Sequence, residues 1–113
     1  MDAQLKKGLL NICILQFLKQ SDLYGYEIVK RIQKYFADTD ESTVYAVLRR
    51  LHKEGLTDLY YSMQSNGPKR KYYRLTENGE KALSGYLKSI QEMEAMFLEI
   101  GLKKDAYNGE RNL

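Results

Sequence analysis

Residues 40–55 read DESTVYAVLRRLHKEG, and this stretch decides the fold of the chain. Asp40 can accept hydrogen bonds from the first free N–H groups of a helix, and Gly55 can adopt the left-handed conformation that ends one. Four apolar residues recur at spacings that place them on one stripe: Val44, Val47, Leu48 and Leu51. The stretch therefore predicts one amphipathic helix whose apolar stripe faces a core.

The opposite face of this predicted helix carries hydroxyls and an aromatic ring near its start and cations further along: Ser42, Tyr45, Arg49 and Lys53, with Arg50 beside them. Such a face suits a helix that reads the major groove with its first turns and meets phosphate beyond them. An ordinary amphipathic helix with solvated charges gives the same pattern. The stretch by itself leaves both interpretations open.

The basic charge is concentrated in the middle of the chain. The 113 residues, enough for one domain with a modest core, carry a net charge of only +3. Residues 49–74 contain seven cations and two anions, whereas the remainder contains 11 cations and 13 anions. A local excess of this kind is expected of a surface that faces a phosphate backbone.

Cysteine usage and hydropathy predict the compartment. Cys13 is the only cysteine and lies in an apolar segment, so we interpret it as a small hydrophobic residue of a protein in a reducing environment. No apolar run reaches the ~18 residues of a membrane span, and the N-terminal residues lack the order of a signal peptide. We expect a soluble cytoplasmic protein with no membrane partner.

A first helix is predicted over residues 4–19, and it is apolar on two sides. One band consists of Leu5, Leu9, Ile12 and Cys13, and the other consists of Leu10, Ile14, Phe17 and Leu18. A helix of this kind needs two partners, of which one is the domain core and the other could be a second subunit.

A helix-turn-helix is predicted over residues 20–53. Residues 20–22 break the chain, with Ser21 or Asp22 as the cap of a second helix over residues 24–36. Gly25 disfavours a helix, so its place in the first turn indicates that the backbone closely approaches a neighbour there. Residues 37–40 then form a connection of the length typical of a helix-turn-helix.

A basic hairpin is predicted after Gly55. Residues 58–64 alternate with the period of a half-buried strand whose inner face holds Leu59, Tyr61 and Met63. Residues 65–68 form a turn, and residues 69–75 return as a second strand that begins with three cations. An edge hairpin protected by charge would look similar. Together with the helices before it, the hairpin predicts a winged helix-turn-helix.

A long last helix is predicted from Thr76, its cap, to Gly101, with Leu102 folded back on the last turn. Its apolar residues follow a heptad pattern: Leu83, Tyr86, Ile90, Met93, Phe97 and Ile100. This seam would pair with a second subunit, although it could instead fold back on its own domain. The sequence thus predicts a mainly α fold with a small β-hairpin, in which residues 1–76 form the winged helix-turn-helix domain, residues 77–102 the C-terminal dimerisation helix and residues 103–113 a flexible tail.

Five motifs follow one another along the chain: Tyr24-Gly25-Tyr26-Glu27-Ile28, Thr43-x-Tyr45-x-x-Leu48-x-x-Leu51, Glu54-Gly55-Leu56, Gly67-Pro68-x-Arg70-Lys71-Tyr72-Tyr73-x-Leu75-Thr76, and Gly79. In this order they resemble the PadR family of bacterial transcriptional regulators, over residues 8–80. The length resembles the short subfamily with one C-terminal helix. The resemblance implies a dimeric repressor that controls a neighbouring detoxification or efflux gene, or its own, and is released by a small molecule.

Two residues depart from the family pattern. The chain has Ala46 where the family often has proline, and Glu41 places a negative charge at the start of the reading helix. Glu41 could assist the helix cap or accept a hydrogen bond from a cytosine amino group. The operator sequence of other family members therefore does not transfer to this chain.

We predict that the chain binds double-stranded DNA at an inverted-repeat operator, as a homodimer. The predicted DNA-binding residues are Tyr24, Ser42, Thr43, Tyr45, Arg49, Lys53, Lys69 and Arg70. The predicted dimer interface or effector pocket consists of Leu9, Cys13, Leu83, Tyr86, Ile90, Met93, Met96, Phe97 and Ile100. Interface packing and a cavity for a small hydrophobic or aromatic effector both explain these residues. Short family members that bind flat aromatic drugs use a tryptophan in this helix, and this chain has none.

Catalysis is not expected, and neither is a metal or another cofactor. His52 is the only histidine and lies on the reading helix, while Cys13 is expected to be buried, so no nucleophile–base pair or metal cluster can be assembled. The alternative to a DNA-binding regulator is a winged-helix module that binds another protein and not DNA.

Overall fold

The computed structural model describes residues 1–63 and 66–102 of the chain. In chain order the elements are α1 (Ala3–Gln20), β1 (Leu23–Tyr24), α2 (Gly25–Tyr35), α3 (Glu41–Lys53), β2 (Thr57–Ser62), β3 (Arg70–Leu75) and α4 (Glu77–Glu99). The prediction of a mainly helical fold with a small hairpin is confirmed. In the part of the chain that the structure describes, no helix combines the length and the apolar character needed to cross a membrane.

The chain divides into two compact units, the first ending at Leu83 and the second beginning at Ser84. The core of the first unit is built from α1, α2, α3 and the first turns of α4. Its most deeply buried side chains are Ile14, Leu15, Ile28, Ile32, Leu48, Leu51 and Leu83. A domain boundary between residues 76 and 77 stays a prediction.

The two predicted bands of α1 differ in burial. Leu10, Ile14 and Leu18 are buried, because this band faces α2, α3 and the sheet. In the other band Leu5 is 66% exposed, and its remaining members are half-buried. The first unit therefore buries one side of α1 and leaves the other partly open.

The sheet contains a third strand that the sequence did not predict. The strand order is β1-β3-β2, with all pairs antiparallel, and β3 is central. Tyr24, predicted as the first residue of the second helix, belongs to β1 and is the residue before α2. The prediction that Ser21 or Asp22 caps α2 was wrong, because the N-cap residue is Tyr24. The main-chain N–H of Tyr24 donates to the Glu27 carboxylate over 3.1 Å. A two-residue strand is too short to show an alternating pattern.

Helix α3 begins and ends through main-chain contacts. The side chain of Asp40 makes no capping hydrogen bond, contrary to the prediction. Its carbonyl oxygen instead accepts from the N–H groups of Thr43 and Val44, at 3.1 and 3.3 Å. Gly55 has the predicted left-handed conformation, with φ of 79°, and the Leu56 N–H donates to the Leu51 carbonyl at 2.9 Å. The cap at Gly55 is confirmed, whereas Asp40 contributes to the start of the helix only through its carbonyl oxygen.

Thr76 joins the end of α3 to the start of α4. Its hydroxyl donates to the carbonyl of Gly55 at 2.7 Å and accepts from the N–H of Gly79 at 3.0 Å. The predicted cap at Thr76 is confirmed. A Cβ at Gly79 would overlap the carbonyl oxygen of Leu56, so the first turn of α4 approaches this backbone as only a glycine allows.

The hairpin differs from the prediction in which side chains it buries. Tyr61 and Met63, predicted on the inner face, are 61% and 67% exposed. Tyr72 and Tyr73 are both buried. Tyr72 packs against tyrosines of the two neighbouring strands, and Tyr73 lies opposite Leu23 and Leu59 on the other face of the sheet. The alternating pattern therefore identified the two faces of the strands, but not which side chains are buried. Asn66 has φ of 63°, as a tight turn requires. Residue 65 of the predicted turn and residue 64 of the predicted first strand lie outside the described residues.

The second unit is the C-terminal part of α4 and its cap. Gly101 has φ of 89°, and the N–H of Leu102 donates to the carbonyl of Phe97 at 2.8 Å. The predicted end of the helix is confirmed. The flexible tail predicted for residues 103–113 lies outside the described residues.

Candidate nucleic-acid interface

The outward face of α3 is accessible along its whole length. Ser42, Thr43, Arg49 and Lys53 are exposed, and Tyr45 is half-buried. The buried stripe on the other side holds α3 against the core, so the backbone positions from which these side chains project are fixed. A surface of this kind can be presented to a groove as a unit.

A cleft of about 480 Å³ lies between α3, the start of α2 and β3. It brings together four of the eight predicted DNA-binding residues: Tyr24, Tyr45, Arg49 and Arg70. Its lining also includes Gly25, Tyr26, Lys71 and Tyr73, which were not among the predicted site residues. Tyr73 lies opposite Leu23, which belongs to β1. Because β1 was not predicted, this pairing could not be predicted from the sequence.

A stack of side chains connects the hairpin to the start of α2. The guanidinium of Arg70 lies 4.3 Å from the ring centroid of Tyr24, within the range of a cation–π interaction. The Tyr24 ring meets the edge of Tyr72 at 5.7 Å, and Tyr72 stacks on Tyr60 at 5.5 Å. Arg70 is therefore held against the helix-turn-helix by an aromatic ring.

The far end of this stack is closed by polar contacts. The hydroxyl of Tyr60 donates to Asp22 over 2.6 Å, and this hydrogen bond, followed by burial and the charge of Asp22, raises the pKa of Tyr60. The guanidinium of Arg74 lies 5.4 Å from the Tyr60 ring and 3.6 Å from the Asp58 carboxylate. Asp22, predicted as a helix cap, instead connects the chain before β1 to β2.

Tyr45 is seated against Gly25. A Cβ at Gly25 would lie 2.6 Å from a ring carbon of Tyr45 and 3.0 Å from its hydroxyl oxygen, so the glycine provides the space that the ring occupies. Burial, and then the negative charge of Glu41, raise the pKa of Tyr45. The phenol therefore stays protonated at neutral pH and can donate a hydrogen bond.

The remaining predicted DNA-binding residues lie outside this cleft. Ser42 and Lys53 lie on the exposed ridge of α3, and Thr43 borders a second cleft against α1. Lys69 is exposed at the base of the hairpin turn, and its Nζ lies 5.4 Å from the ring centroid of Tyr61. The DNA-contacting roles of all eight residues stay predictions.

The residues predicted for an interface or effector pocket fall into three groups. Leu83 is 1% exposed in the core of the first unit, so it has no surface left to offer a partner. Leu9 and Cys13 are half-buried in α1, and burial raises the pKa of the Cys13 thiol, which disfavours the reactive thiolate. In the second unit Tyr86, Ile90 and Phe97 are half-buried, while Met93, Met96 and Ile100 are 43%, 47% and 70% exposed.

His52 has a structural contact. Its Nδ1 lies 3.0 Å from the carbonyl oxygen of Thr57, which can only accept, so Nδ1 carries the proton. Within residues 1–63 and 66–102, no three His, Cys, Asp or Glu side chains group in a way that could hold a metal ion.

The sequence is similar to a known protein family and to a bacterial protein. The family model described as the transcriptional regulator PadR-like family matches residues 14–85. An uncharacterized protein of Lysinibacillus sphaericus is 37% identical over 99 residues, which cover 82% of this chain and 91% of that protein.

Solved structures agree with the winged-helix architecture. A PadR-like transcriptional regulator from Bacillus cereus strain ATCC 14579 has a TM-score of 0.81 and 32% identity, covering 90% of this chain and all of that one. The PadR of Bacillus subtilis, solved in complex with operator DNA, has a TM-score of 0.60 and 27% identity, covering 70% of this chain and 46% of that one. The winged helix-turn-helix predicted from the sequence is confirmed.

Proposed function

The chain belongs to the PadR-like family of transcriptional regulators, and from this membership we propose that it acts as a homodimer that binds an inverted-repeat operator in double-stranded DNA. It represses transcription while bound and is released by a small hydrophobic or aromatic effector. A regulator of transcription works beside the chromosome, which in bacteria means the cytoplasm.

The observation that carries this proposal is the cleft beside α3. Three cations, Arg49, Arg70 and Lys71, line it together with the Tyr45 ring, at the edge of an exposed polar helix face. A protruding helix fits the major groove, and cations at its edge meet the phosphates that border the groove. The relative from Bacillus subtilis was solved with operator DNA, which supports the same use of this fold here.

The contacts divide into two kinds. Ser42, Thr43 and Tyr45 lie on the first two turns of α3, and Arg49 lies one turn beyond Tyr45 on the same face, so these four residues address base edges or the phosphates nearest to them. Lys53, Lys69 and Arg70 contact the sugar-phosphate backbone and fix the register. Tyr24 contributes through the ring that supports Arg70.

The second unit supplies the proposed dimer contact. Met93 and Met96 on α4 and Ile100 just after its end expose apolar surface, and such a surface is stabilised when a second copy covers it. A twofold dimer presents its two α3 helices to half-sites about one turn of duplex apart, or a small multiple of it.

The effector site is proposed at the same apolar surface. Methionine side chains adapt to ligands of different shape, and Tyr86 and Phe97 provide aromatic surface. Ordinary packing between two copies uses the same residues, so saturable binding of a small molecule is the property that identifies an effector site.

The proposal is tested by the salt dependence of binding to a random duplex. We expect fluorescence anisotropy to report binding that weakens steeply between about 50 and 200 mM salt, since each phosphate contact releases a counterion. Arg70→Gln should flatten the slope of log K against log salt by about 0.9 for each bound subunit and weaken all sequences alike.

Indifference of the protein to duplex at low salt would contradict the proposal and favour a module that binds another protein. An unchanged slope in Arg70→Gln, with binding otherwise intact, would remove the hairpin from the interface.

A further inference from the structure

A second cleft, of about 330 Å³, lies on the other side of α3, between α3 and α1. Three cations and several small or apolar residues line it: Ala3, Lys6, Lys7, Leu10, Thr43, Ala46, Val47 and Arg50. Lys6 and Lys7 were assigned no role from the sequence, and Arg50 was noted only as a neighbour of the reading face. We call this surface the α1–α3 cleft.

The two clefts flank the exposed ridge of α3. At 3.6 residues per turn, the α3 residues that line the α1–α3 cleft are centred roughly 130° around the helix from Tyr45 and Arg49. Ser42 and Lys53 project between the two directions, and both are exposed. The hairpin therefore borders one side of the proposed reading face, and α1 borders the other.

The cations of the α1–α3 cleft are held in place to different degrees. The guanidinium of Arg50 donates to the side-chain oxygen of Asn11 on α1 and lies 3.9 Å from the Glu54 carboxylate. Lys6 Nζ lies 3.6 Å from the exposed carboxylate of Asp38. Within the described residues Lys7 is exposed and forms no salt bridge.

These pairings leave the cleft able to attract an anion. Exposed ion pairs such as Lys6–Asp38 and Arg50–Glu54 contribute little to stability and are easily exchanged for another anion. Lys7 adds a positive charge that no carboxylate of the described residues approaches within 4.0 Å. Ala3 and Ala46 have small side chains, which leave room for a phosphodiester to approach the cations.

We propose that the α1–α3 cleft contacts the phosphate backbone on the side of the major groove opposite the hairpin, with Lys7 as the principal contact and Lys6 and Arg50 beside it. The inference rests on the proposed function, because it requires α3 to lie in a major groove. That groove is about 12 Å wide, so a helix inside it has a phosphate backbone on each side. In this arrangement the hairpin contacts the phosphate backbone on one side of α3, and the α1–α3 cleft contacts the backbone on the other side.

The test compares two lysines of the same helix. Lys7→Gln removes the proposed contact, and Lys19→Gln removes an equal charge about 18 Å further along α1, well beyond the Debye length of ~10 Å at 0.1 M salt. Both side chains are exposed, so neither change disturbs the core. Binding of each variant to a random duplex is measured over the same salt range as for Arg70→Gln.

We expect Lys7→Gln to flatten the slope of log K against log salt by about 0.9 for each bound subunit, and Lys19→Gln to leave it unchanged. Equal slopes for the two variants, with wild-type protein binding duplex and Arg70→Gln flattening the slope, would overturn this inference and leave the proposed function intact. Failure of the wild-type protein to bind duplex would overturn the proposed function and, with it, this inference.

Discussion

At the scale of single residues, the first unit depends on two glycines that make room for a neighbour. Gly25 leaves space for the ring of Tyr45, and Gly79 leaves space for the carbonyl of Leu56. The first contact orients a side chain on the reading face, and the second brings the start of α4 against the end of α3. The residue type is dictated by close approach in both positions, since neither glycine has positive φ.

Replacing Gly79 should therefore destabilise the protein. Gly79→Ala forces Cβ into the Leu56 carbonyl and a methyl group of Leu75, and overpacking of this kind costs about 1–3 kcal/mol. Gly85→Ala is the matched control in the same helix, because a Cβ there meets nothing within 4 Å and alanine favours a helix over glycine by about 0.5–1 kcal/mol. Urea denaturation at one protein concentration measures both, and equal effects of the two changes would refute the contact.

Residue-scale prediction succeeded where the residue type alone dictates the geometry. Gly55, Thr76 and Gly101 have the predicted capping roles, because positive φ and a hydroxyl cap are local properties. The close approach predicted at Gly25 is confirmed, although the sequence did not identify the Tyr45 ring as the neighbour. The approach of Gly79 to the carbonyl of Leu56 was not predicted. Sequence spacing does not reveal such contacts.

At the scale of elements, the apolar spacing predicted the helices of the first unit, but the sequence predicted only two of the three strands of the sheet. The buried stripe of α3 agrees with the prediction, residue by residue. Strand β1 was missed because two residues carry no period, and with it the tyrosine stack that spans all three strands. Part of the cleft beside α3 could therefore be predicted, whereas the support of Arg70 by Tyr24 needed the fold.

The stack predicts that the ring of Tyr24, rather than its hydroxyl, supports Arg70 in DNA binding. Tyr24→Leu removes the ring against which Arg70 lies, so we expect weaker duplex binding and a salt slope flattened toward that of Arg70→Gln. Tyr24→Phe keeps the ring and should retain the wild-type slope. Anisotropy titrations measure both, with circular dichroism to establish that the leucine variant is folded.

Equal losses in the two Tyr24 variants would contradict this account. They would mean that the hydroxyl of Tyr24, and not its ring, contributes to binding.

At the scale of the whole molecule, the cations from the middle of the chain and the exposed apolar side chains of α4 belong to different units. Arg49, Arg70 and Lys71 lie in one cleft of the first unit, although 20 residues of sequence separate the first two from each other. Met93, Met96 and Ile100 keep apolar surface exposed in the second unit. The heptad pattern predicted such a surface, but a pattern within one chain does not identify its partner, so the dimer stays a proposal.

A footprint on duplex selected from a random pool tests the central claim most directly, namely that two α3 helices enter the major groove of one DNA molecule. The account predicts two protected major-groove segments related by twofold symmetry, with centres about 10 base pairs apart or a small multiple of that distance. Absence of protected segments at low salt, or protection of a single segment without a symmetric mate, would contradict it.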